Sequence, residues 1–208
     1  MIIKRLILAL LVIGPSLIAK AQVDNLQPET GYFSGLNPQD SYYPVVKKVL
    51  FDSLSYYTDF RVVVLPSFDP EYLISLDTKN GRTFLIYRIA KKQIDNSPGT
   101  NSDKVQFSTY KIQFDPSLTK KIHQLYFTTI SKAKFSPLES GVDGTSYFFM
   151  VFHQSYGLIG GQTWSPTTGK MGELVAIADW LKDCAKKGSL QNQDKMQVKI
   201  DRLIEKFK

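Results

Sequence analysis

The chain has 208 residues, 43% of them hydrophobic and 12% aromatic, with a formal net charge of +7. Its lysines include the pairs Lys47-Lys48, Lys91-Lys92, Lys120-Lys121 and Lys186-Lys187, each beside acids or polar residues. That is the pattern of solvated faces rather than of a basic stripe for nucleic acid. Cys184 is the only cysteine, which excludes an intramolecular disulfide and leaves stability to an apolar core.

The opening MIIKRLILALLVIGPSLIAKAQ sets Lys4 and Arg5 before an apolar run from Leu6 to Ile13, then Pro15 and the small-residue pattern Ala19-Lys20-Ala21. This is the three-part layout of a secretory signal peptide over residues 1–21, with cleavage expected before Gln22. The apolar run falls well short of the roughly 20 residues needed to span a bilayer, so no membrane anchor is expected after cleavage. Removing the leader leaves about 187 residues and a charge of about +4, a length suited to one domain over residues 22–208.

Residues 22–40 carry Pro, Gly and Asn punctuation without a sustained period and read as an irregular arm. PVVKKVLFDSLSYY places Val46, Val49, Leu50, Leu54 and Tyr57 at helical spacing, with Pro44 suited to a first turn. RVVVLP, EYLISLD and RTFLIYRIA read as strands, the last two joined across Asn80-Gly81, a strong hairpin signal. KKQIDNSPGTNSDK reads as a polar surface loop. In VQFSTYKIQF the apolar positions change phase near Ser108, which predicts a bulge there or a break into two strands.

DPSLTKKIHQLYFTTIS opens with Asp115 as a cap and Pro116 in the first turn, then lines up Leu118, Ile122, Leu125, Tyr126 and Ile130 on one helical face. After a loop, DGTSYFFMVFHQSYGLIGGQTWSP reads as two strands. The first, Thr145 to His153, is apolar on both faces and is expected to be central and covered on both sides. Two amphipathic helices close the chain, one running from MGELVAIADWLKDC to Gly188 and one carrying Met196, Ile200, Leu203 and Phe207. The expected fold is α+β, a mostly antiparallel sheet of about five or six strands with helices packed on one side.

The two histidines, His123 and His153, stand thirty residues apart and have no metal-ligand spacing with each other or with Cys184, so no metal or cofactor is expected. Cys184 falls on the apolar face of its helix near the C-terminal end, where the dipole disfavours a thiolate, and reads as core. No Gly-x-Ser-x-Gly turn is present. Asp69, Glu71 and Asp143 lie in loop-like aromatic surroundings and are the acids that a carboxylate-dependent hydrolase acting on envelope polysaccharide could use. Turn and cap hydrogen bonding is their commoner role. His153, Tyr156 and Trp164 are the candidate binding residues, large side chains beside the permissive backbone of Gly157, Gly160 and Gly161. The expected function is that of an exported, non-catalytic binding protein of a bacterial cell envelope, periplasmic or extracellular, of inhibitor or immunity type. Its expected partner is a protein or envelope component.

Overall fold

The computed structural model describes residues 24–29, 42–94, 105–135 and 143–208. The expected signal peptide, most of the arm and the polar loop around Pro98-Gly99 lie outside the described residues. The strands are β1 (Gln27–Glu29), β2 (Phe60–Pro66), β3 (Tyr72–Lys79), β4 (Arg82–Ala90), β5 (Phe107–Phe114), β6 (Thr145–His153) and β7 (Gly157–Trp164). The helices are α1 (Tyr42–Leu50), α2 (Pro116–Ser131), α3 (Gly169–Lys187) and α4 (Gln193–Lys206). All seven strands join one antiparallel sheet in the order β1-β7-β6-β2-β3-β4-β5, giving the α+β fold expected. Among the described residues no helix is long and apolar enough to cross a membrane.

Alternation along the strands builds two cores. Phe60, Val62 and Val64 of β2, with Phe149 and Val151 of β6, face α2, α3 and α4. Val63, Leu65, Phe148 and Met150 point the other way, onto Val46, Val49 and Leu50 of α1. Thr145 to His153 is therefore covered on both faces, as its apolar pattern required. The helices are not all on one side, however. A second apolar face cannot be left wet, and α1 covers it.

Three further expectations are corrected. The arm is not wholly irregular, since Gln27 to Glu29 pair with Gln162 to Gly160 and extend the sheet to seven strands. The first helix stops at Leu50, and Tyr57 is exposed. Arg88 Nη1 donates to the carbonyls of Leu50 at 3.0 Å and Asp52 at 2.6 Å, satisfying acceptors that another helical turn would have used. No bulge interrupts β5, whose pairing with β4 runs one to one from Phe107 to Phe114. Its apolar phase changes because Val105 and Phe107 serve the α1 core whereas Ile112 and Phe114 serve the other.

The cap on α2 forms as read, with Asp115 Oδ1 accepting from the Leu118 amide at 2.7 Å. Bonds from Ser117 and Leu118 hold that carboxyl below its ordinary range. Gly188 ends α3 in the left-handed region at φ 73°.

Candidate functional site

β6 and β7 meet at a turn through Gln154, Ser155 and Tyr156, with His153 paired to Gly157. Gly157 takes φ 70°, a conformation glycine adopts at no steric cost, so the chain reverses here and lifts Tyr156 outward. Tyr156 is 69% exposed. The Ser155 amide donates to His153 Nδ1 at 3.2 Å, and the Tyr156 amide donates to the His153 carbonyl at 3.2 Å. The turn thus fixes the orientation of its own imidazole.

Helix α2 supplies the other half. Phe127 stacks on His153 with 4.6 Å between centroids and 23° between planes. Tyr156 lies 5.1 Å from His153 and 6.1 Å from Phe127. One helical turn earlier, His123 stacks on Phe127 at 6.1 Å, nearly parallel at 6°. Its Nε2 lies 3.1 Å from the Phe152 carbonyl, which accepts only if that nitrogen carries the proton. Both histidines therefore join one aromatic stack at the end of the sheet, tying helix to hairpin.

Beside the stack opens a cleft of about 770 Å³, lined by Phe127, Ile130, Tyr156, Leu158 and Ile159, with Glu29 at its β1 end. β1 pairs only with Gly160 to Gln162. Leu158 and Ile159 of β7 border the cleft next to the point where the described part of β1 ends its pairing, at Gly160.

The three proposed binding residues do not form one site. His153 and Tyr156 come together, but Trp164 ends β7 on the far side of the sheet, roughly 25 Å away at about 3.3 Å per residue. Its half-buried indole lies against Gly144, where an added Cβ would come within 2.5 Å of the ring. Ser165 follows at φ 41°, its Oγ accepting from the Thr145 amide at 2.7 Å. These contacts give Trp164 a place in closing the far end of the hairpin.

Of the candidate acids, Glu71 is fully buried, with Oε1 accepting from Tyr42 Oη at 2.7 Å and Oε2 from the Ile94 amide at 2.8 Å. It fastens α1 and the segment that follows β4 to the sheet. Asp69 and Asp143 are exposed. Among the described residues no three His, Cys, Asp or Glu side chains are placed to hold a metal ion. Cys184 is buried, and burial raises its thiol pKa.

Sequence reading missed Phe127, Leu158 and Ile159, and read Ile130, which also borders the cleft, as a core residue of α2. A usable signal was present: Phe127 follows His123 by one turn on a helix whose core face is otherwise complete, so this pair extends aromatic surface away from the core. The chain matches no family model, no curated protein and no solved structure, and its functional reading therefore rests on this geometry.

Proposed function

We propose that the chain is an exported, non-catalytic binding protein whose contact surface is the Tyr156 end of the sheet. The carrying observation is the exposed Tyr156 ring, held by the His153 and Phe127 stack at the mouth of an apolar cleft. A large ring fixed in place loses little entropy on binding, and such residues dominate interface energetics. The partner is a protein of the cell envelope that inserts apolar side chains into the cleft. Tyr156 anchors the contact, and the cleft takes the partner's apolar side chains. An inhibitor or immunity role suits such a contact. The hydrolytic alternative loses support at Glu71, whose two oxygens are both occupied in holding the fold.

The test is capture from envelope extract by the protein purified from its own host, whose intact mass also reports whether it begins at Gln22. Wild type is expected to retain a partner. Tyr156→Ala is expected to weaken binding by about 2 kcal/mol while leaving the melting temperature almost unchanged. Equal retention by wild type and Tyr156→Ala would overturn the assignment.

A further inference from the structure

Five lysines from separated stretches of the chain line one cleft of about 290 Å³. Lys132 and Lys134 follow α2, Lys170 opens α3, and Lys206 and Lys208 come from the end of α4. None belongs to the lysine pairs that stand out in the sequence, so the convergence is a product of the fold. Asn25 and Phe207 complete much of the wall, and no Asp or Glu side chain lines it among the described residues.

Glu173 and Glu205 neutralise Lys206 and Lys208 and leave Lys134 and Lys170 without an acidic partner among the described residues. Asp24 Oδ1 accepts from the Met171 amide at 3.0 Å, Glu173 pairs with Lys206 at 2.5 Å, and Glu205 pairs with Lys208 at 2.6 Å. The two ion pairs join exposed or half-exposed side chains, and water screens such contacts. Lys132 Nζ donates to the Lys208 main-chain oxygen at 2.8 Å, and Lys170 Nζ stands 5.0 Å above the Phe207 ring. The ring leaves the Lys170 charge unneutralised. Among the described residues Lys134 is held through its main chain, its amide donating to the Leu26 carbonyl at 2.8 Å and its carbonyl accepting from Asn25 Nδ2 at 3.3 Å.

We propose that this cleft binds a phosphate group, seated between Lys132, Lys134 and Lys170 and carried by a small molecule or a lipid headgroup. A concave wall of one sign concentrates potential, and like charges gathered there are relieved by a multiply charged anion. Lysine ammonium groups bind phosphate as point charges and need no fixed fork geometry. The volume lies at the small end of ligand sites, enough for a phosphate and a short portion of its carrier.

The experiment is an NMR titration of the whole protein with glycerol phosphate at low ionic strength, alongside sedimentation with phosphatidylcholine vesicles containing phosphatidic acid. Saturable shifts confined to residues 132–134, 169–171 and 206–208 are expected, weakened about tenfold or more by Lys134→Ala with Lys170→Ala and unaltered by Lys120→Ala. Lys134→Ala alone keeps every structural bond of that residue, so its folded state and its weaker binding can be read even if the double variant loses stability. Saturation by glycerol phosphate without sedimentation assigns a soluble phosphate ester. Sedimentation that the lysine variants abolish, without glycerol phosphate shifts, assigns a lipid headgroup. Shifts that never saturate and spread to Lys120, or binding unchanged in the variants, would overturn the proposal.

Discussion

Arg61 and Asp77 meet across neighbouring strands, with Nη2 3.3 Å from Oδ1 and side chains 1% and 10% exposed. Around them Arg61 Nε donates to Ser75 Oγ at 3.1 Å, Ser75 Oγ donates to Asp77 Oδ1 at 2.7 Å, and Arg61 Nη2 donates to the Ser55 carbonyl at 2.8 Å. The guanidinium also lies 5.1 Å over the Phe51 ring. A buried charge this well supplied with acceptors is tolerated as a unit.

Removing one member should cost far more than removing the pair. Asp77→Ala is expected to lose about 3–5 kcal/mol by leaving Arg61 charged and uncompensated. Arg61→Met combined with Asp77→Leu is expected to recover much of that loss. Urea unfolding of the three variants measures the difference, and a double variant as unstable as Asp77→Ala would refute the coupling.

Phe149 is fully buried and stacks on Tyr126 at 5.2 Å, whereas Trp164 is half-buried at the far end of the hairpin. Phe149→Ala should cost about 3–5 kcal/mol through the cavity it leaves. Trp164→Ala should cost about 1–3 kcal/mol, within the ordinary range for a partly buried contact. Thermal melts of both variants decide it, and equal losses would place the indole in the core.

Burial pushes the Tyr87 phenol up to about 12 and raises those of Tyr72 and Tyr126 as well. The folded protein therefore keeps these protons where the unfolded chain, with an ordinary tyrosine value near 10, releases them. By linkage, their contribution to stability is complete below about pH 10 and falls as pH rises toward about 12. Phenolate absorbance followed beside circular dichroism should show these tyrosines ionising together with unfolding. Ionisation near pH 10 with the fold intact would contradict their burial.

Local signals carried most of the element boundaries. Asn80 and Gly81, with φ of 52° and 73°, make the hairpin their pairing predicts, and Asp115 caps α2 through its own carboxylate. What escaped was everything fixed by long-range partners. Arg61 looked like one more strand residue because its acceptors come from Ser55, Ser75 and Asp77, on two other segments. Glu71 looked like a loop acid because Tyr42 and Ile94 lie more than twenty positions away. His153 and Tyr156 were found because one turn holds both, whereas Phe127 required knowing which helix packs on that turn.

The sheet order also sets a timetable for synthesis. Residues 60–114 contain β2 to β5, four successive strands that pair as they emerge, except that one edge of β2 waits for β6. Until residues 145–153 are made, one edge of Val62 to Leu65, three β-branched valines and a leucine, stays unpaired and able to pair with another chain. Arg61 and Pro66 flank that stretch, a charge on one side and a missing amide donor on the other, which is how natural sequences restrain such an edge. A chain released before Thr145 keeps the open edge and loses the strand that covers it, so it is a candidate for aggregation.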